Sequence, residues 1–192
     1  MGDGCDLSSR AELTRPARGS AGRLVVGVSG SLASLAALRA GAREARAGGR
    51  TLVAVLAWEP PEGESAYMLR PDRAWARHWY GEARARLEAA FDEAFGGDPP
   101  GVRTVGRRVV RDQPWRALCT VADRADDHLI VGTRAPSRAV FGLGARYGPT
   151  TRKVLARAGC PVLTVPAPRF PRHYRTMLRR ARADDFRCLP AG

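Results

Sequence analysis

An open α/β fold, a parallel five-stranded sheet with helices on both faces, is what this sequence predicts, and three observations carry it. Five short runs rich in Val, Leu and Ile are apolar almost without interruption, as strands buried on both faces of a parallel sheet must be. Amphipathic stretches of helical period alternate with these runs. The links between them are short and rich in Gly and Pro, so the order β-α-β-α-β-α-β-α-β closes through right-handed crossovers.

Taken in order, Arg23 to Val28 (RLVVGV) is the first strand, and Ser29-Gly30-Ser31 leads from it into a helix. There Leu32, Leu35, Ala36, Leu38 and Ala42 share one face, Arg39, Arg43 and Arg46 lie elsewhere, and Gly48-Gly49 stops the helix. Thr51 to Trp58 is the second buried strand, and EPPEGESAYMLRP after it reads as a proline-interrupted loop. From Asp72, an N-cap, to about Phe95, the residues Trp75, Trp79, Ala83, Leu87, Ala90, Phe91 and Ala94 recur at helical spacing. Trp75 and Trp79 on that face are expected in core or dimer packing. Val102 to Val110 alternates through its first half, as a strand nearer a sheet edge does, and Pro114 to Ala125 is a helix with proline in its first turn. HLIVG is the fourth strand, TTRKVLARAG the last helix and CPVLTVP the fifth strand.

The 192 residues, 44% hydrophobic, suffice for one good core, here assigned to residues 23–168 between a polar leader (1–22) and a basic tail (169–192). The leader is read as flexible, and a short basic amphipathic helix is expected from about His173 to Ala183 in the tail. A net charge of +13 would suit a nucleic-acid partner, but the arginines are dispersed and no aromatic-interleaved stripe accompanies them, which argues against that role. Four scattered cysteines make no CxxC or CxxH pair, which excludes a zinc framework, and no apolar run reaches the roughly 18 residues that span a bilayer. A reduced, cytoplasmic setting is the expectation.

Ligands of such sheets sit beyond the carboxyl ends of the strands, where strand order reverses. Two turns have the composition for that crevice, Ser29-Gly30-Ser31 after the first strand and Gly132-Thr133-Arg134 after the fourth. With LVVGVSGSLASLAALRAGAREA, LIVGT and TTRKVLARAGCPVLTVP, the chain resembles the universal stress protein family over roughly Arg23 to Pro166. That resemblance implies the Rossmann-like strand order 3-2-1-4-5 shared with adenine nucleotide alpha hydrolases. It also implies a homodimer through the last strand (162–165) and, in some members, an adenine nucleotide (ATP, AMP or cAMP), with Mg accompanying ATP. Nucleotide-binding members have an Asp at the end of the first strand and a G-x2-G-x9-G-[ST] loop after the fourth. In this chain Ser29 stands for the Asp, Ala135-Pro136 for the second glycine and its successor, and Gly148 precedes Pro149 where a hydroxyl is usual. The interval from Gly132 to Gly148 is also three residues longer, with Gly142 and Gly144 inside it and Arg138 and Arg146 adding charge.

The resemblance therefore implies a site made of Ser29, Gly30, Ser31, Val55, Gly132, Thr133, Arg134, Gly148, Thr150 and Thr151, with adenine against Val55 and Ala57 and phosphates toward the glycines. A nucleotide-free dimer acting through protein contacts is the alternative. Enzymatic readings rest on Ser29 to Ser34. The segment resembles the SGGxDS loop of ATP pyrophosphatases, but Ser31 and Ala33 stand for its glycine and aspartate. It also approaches a G-x-S-x-G elbow, for which His78, His128 and His173 are poorly placed bases, so no catalytic residue is assigned.

Overall fold

The computed structural model describes residues 22–134 and 147–169. Readings placed on residues 1–21 and on the tail from 170, and those on Ala135, Pro136, Arg138, Gly142, Gly144 and Arg146, lie outside the described residues. The strands are β1 (Leu24–Gly27), β2 (Leu52–Trp58), β3 (Val105–Arg111), β4 (His128–Thr133) and β5 (Val162–Pro166). The helices are α1 (Leu32–Gly48), α2 (Glu64–Leu69), α3 (Arg73–Phe95), α4 (Pro114–Val121) and α5 (Pro149–Arg157). All strand pairs are parallel, in the order β3-β2-β1-β4-β5.

The period of two that defines a strand sorts the core into two layers. Leu24 and Val26 of β1, with Val28 just beyond it, face Leu35 and Leu38 of α1 and Leu87 and Phe91 of α3. Val25, Val53 and Leu129 point the other way, against Leu118 of α4 and Val154 of α5. Because β1 is central, Val25 and Val26 are entirely buried. On the edge strand β3 all but the last residue are half-buried, as the alternation in its sequence predicts.

Three expectations are corrected. The stretch after β2 is not merely a loop: Glu64–Leu69 forms the short helix α2. Two interactions hold it, an ion pair from Glu64 to Arg111 (2.9 Å) and the Arg111 guanidinium 4.1 Å from the centre of the Tyr67 ring. Leu32 and Trp75, placed on apolar helix faces, are 47% and 44% exposed, because each lies in the first turn of its helix, ahead of the residues that reach the core. The helix predicted over Pro114 to Ala125 ends at Val121, whose carbonyl accepts from Arg23 Nη2 at 2.9 Å. The chain then turns so that Asp127, fully buried, accepts from the Arg124 N–H and from the Arg23 side chain.

Candidate functional site

Parallel pairing of β1 with β4 sets the ends of these two strands side by side at the point where strand order reverses. Between them lies a cleft of about 230 Å³. Its floor is Val55 and Ala57 of β2, with Leu118 of α4; one wall is Ser29, Ser31 and Ser34, the other Gly132, Thr150 and Thr151.

The first wall follows from local chemistry. Gly30 adopts φ +77°, a left-handed turn that a side chain would resist by about 1 kcal/mol or more. That turn sets Ser31 as the N-cap of α1, where its hydroxyl accepts from the Ser34 N–H (3.3 Å) and lies 3.0 Å from the Ser29 hydroxyl. Serine thus caps the helix, as its position predicts, and the Ser29 hydroxyl remains exposed at the cleft.

The second wall depends on close packing. A Cβ at Gly132 would meet the Ala33 carbonyl oxygen at 2.3 Å and the Ser34 nitrogen at 2.7 Å, so this glycine is demanded by the backbone of α1 crossing β4. Gly148 is different: as the N-cap of α5 it has φ −65° and nothing within 4 Å of an added Cβ. Pro149 occupies the first position of α5, fitting the helix while removing one amide donor. The donors left at that end are the Thr150 and Thr151 amides, which have no intrahelical partner. Thr151 is 5% exposed and lines the cleft, and neither threonine hydroxyl is engaged by a hydrogen bond. The cleft's amide and hydroxyl donors therefore converge where an anion would be stabilised by the helix dipole.

Of the ten residues read from the sequence, Ser29, Ser31, Val55, Gly132, Thr150 and Thr151 line one cleft. Gly30 shapes its rim, and Gly148 starts the helix that carries the threonines. Thr133 is buried and tied to β5, its hydroxyl 3.5 Å from the Val165 carbonyl and its own carbonyl accepting from Ala167 (2.8 Å), so it does not line the cleft. Arg134 is exposed beyond β4. Sequence reasoning missed Arg86 of α3 and Pro114 of α4, which join the lining from distant elements. Arg86 is one arginine among many along an exposed helix face and carries no local signal. Trp58 is 8% exposed and packs in the α1–α3 layer, filling the sheet and not the cleft. His128 starts β4 at the end away from the cleft, 2.9 Å from Arg50 Nη1, and among the described residues no histidine lines the cleft.

Among the described residues no carboxylate lines the cleft either, and no cluster of His, Cys, Asp or Glu could hold a metal. The amides and hydroxyls fit an anionic ligand, and the apolar floor fits a flat ring.

A doubly wound parallel sheet with an apolar-floored, donor-walled cleft at its switch point defines an open α/β domain of the kind whose ligands sit beyond the carboxyl ends of the strands. The chain belongs to the universal stress protein family, whose model matches residues 21–166. Among solved structures, a universal stress protein from Archaeoglobus fulgidus superposes with a TM-score of 0.52 at 19% identity, covering 76% of this chain and 94% of the other. Another structure of the protein from that organism, in complex with dAMP, gives a TM-score of 0.50 at 19% identity, covering 75% and 97%. A universal stress protein in complex with cAMP is 25% identical, with a TM-score of 0.48 and coverage of 78% and 99%. No curated protein matches the chain.

Proposed function

We infer that this chain is a binding and regulatory module of the universal stress protein type whose cleft takes an adenine nucleotide. In this reading the adenine rests on Val55 and Ala57, the ribose faces Ser29 and Ser31, and the phosphates lie toward Gly132, Thr150 and Thr151. One observation carries it: the turn after β1, the end of β4 and the start of α5 enclose a single cleft in which a nearly buried threonine has no hydrogen-bond partner for its hydroxyl among the described residues. The A. fulgidus structure with dAMP supports the choice of base. Among the described residues the lining holds groups that can bind and orient a ligand and neither a histidine nor a carboxylate to serve as general base, so turnover is not part of the assignment.

Isothermal titration with ATP, ADP, AMP and cAMP tests the reading, supported by mass spectrometry of the gently purified protein for a retained nucleotide. Heat that saturates at one ligand per chain is expected, and no heat at millimolar ligand would remove the nucleotide.

A second part of the reading is a homodimer through residues 162–165. On β5, Leu163 is 48% exposed and Val162 and Val165 are half-buried, on a strand paired only to β4 among the described residues. Such an edge is a template for a second copy. The unpaired thiols Cys119 and Cys160 favour a reducing, cytoplasmic setting.

A further inference from the structure

Beside the cleft, at the start of α4, the next residue after the lining Pro114 is Trp115. Three cations from two helices gather on its indole: Arg157 at 4.9 Å, Arg116 at 5.2 Å and Lys153, the only lysine of the chain, at 5.5 Å from a ring centre. Among the described residues none of the three has an ion pair or hydrogen bond to a carboxylate, whereas Arg23, Arg107 and Arg111 elsewhere do. Like charges held this close repel one another, and the indole face offsets only part of that. A cluster of this kind is stabilised when an anion of high charge density sits among the three groups.

The cleft's size points the same way. About 230 Å³ lies below the roughly 300–1,000 Å³ usual for pockets that enclose a whole ligand of drug size. In the nucleotide reading the nucleoside takes this volume, and a phosphate chain that starts at Thr150 and Thr151 extends outside it. Lys153 is one helical turn after Thr150 and Arg157 one turn further, on the α5 face that meets α4.

We propose that Arg116, Lys153 and Arg157, gathered on Trp115, form an outer phosphate subsite, so that the ligand is a nucleoside polyphosphate and the monophosphate is a partial occupant. This rests on the nucleotide reading of the cleft. The arginines and lysine take the distal phosphates, the threonine end of α5 takes the proximal one, and affinity grows with the length of the phosphate chain.

The test uses the full chain and two variants, Lys153→Gln/Arg157→Gln and Ser29→Trp, the latter filling the cleft mouth. Adenosine, AMP, ADP, ATP and inorganic tripolyphosphate are titrated against each by calorimetry and by tryptophan fluorescence. Wild-type affinity should rise from AMP to ATP, and the double variant should lose about tenfold for ATP while AMP stays within about twofold, since charge-assisted contacts to the distal phosphates are removed. Tripolyphosphate should bind wild type and the Ser29→Trp variant alike and fail on the double variant, which reads the subsite without the nucleoside. Both side chains are exposed and mutually repelling, so the double variant should melt no lower than wild type. Equal affinity for AMP and ATP, or tripolyphosphate binding unchanged in the double variant, would overturn the subsite and leave the cleft assignment standing. Tripolyphosphate binding as expected with no nucleoside-dependent gain would overturn the cleft reading and with it the polyphosphate ligand. Tighter binding of a thymidine oligonucleotide than of ATP, lost in the same double variant, would reassign the cluster to a nucleic-acid backbone and also refute the proposal.

Discussion

Substituting Gly132 by alanine separates packing from ligand binding at the centre of the site. The added Cβ would lie 2.3 Å from the Ala33 carbonyl oxygen, 2.4 Å from its carbon and 2.7 Å from the Ser34 nitrogen, where ordinary contact begins at 3.4 Å. All three atoms are backbone, so no side chain can rotate away. Either α1 or the end of β4 must move by about an ångström. Overpacking of this kind costs roughly 1–3 kcal/mol, which for a domain of this size corresponds to a melting point lower by roughly 3–10 °C. The control is Gly148→Ser, at φ −65° with open space around it, where a serine N-cap should stabilise by a few tenths of a kcal/mol. Thermal unfolding of the ligand-free proteins, followed by circular dichroism, compares the three. A Gly132→Ala protein melting within about 1 °C of wild type would refute the packing argument and return that glycine to a role in ligand contact alone.

Ser29→Asp places a carboxylate beside the Ser31 hydroxyl at the start of α1, and should raise affinity for an adenosine-bearing ligand about tenfold while adding roughly 0.5 kcal/mol from the helix dipole; calorimetry showing no gain would mean that residue 29 does not face the ribose. Burial alone would raise the Asp127 pKa, but hydrogen bonds from Arg23 and the Arg124 amide and the Arg23 charge outweigh it and hold the carboxyl below its ordinary value. A depressed pKa contributes stability in full above the unfolded carboxyl value of about 3.9, and that contribution is lost as pH falls through the lower folded value. Asp127→Asn should therefore cost about 3 kcal/mol at pH 7, with the gap to wild type narrowing below about pH 4; urea curves that stay equally separated down to pH 3 would contradict this. Leu163→Arg, charging the open β5 edge, should convert a homodimer to a monomer in light scattering, and a monomeric wild type would remove the last strand as an interface.

Legibility differed from one element to another. Asp72 as a helix cap, with its carboxylate 2.7 Å from the Ala74 N–H, and Pro114 in the first turn of its helix were readable because capping acts within three or four residues of chain. α2 was hidden: it follows two prolines, is too short to show a period, and is held by Arg111 from a strand more than forty residues away. Leu32 and Trp75 show that a helical period names a face without saying how far along the helix that face is covered.

The sequence by itself determined the alternation of strands and helices and the two-sided burial of the central strands, because periodicity and capping are local properties of the chain, while six of the residues that line the cleft were implied by the family resemblance. Only the tertiary structure decided that Gly132 touches the backbone of Ala33, that Thr133 belongs to β5 and not to the cleft, that Arg86 reaches it, and that Arg116, Lys153 and Arg157 share one indole. Those meetings are between segments tens of residues apart, and they exist only once the hydrophobic layers have set each helix against the sheet.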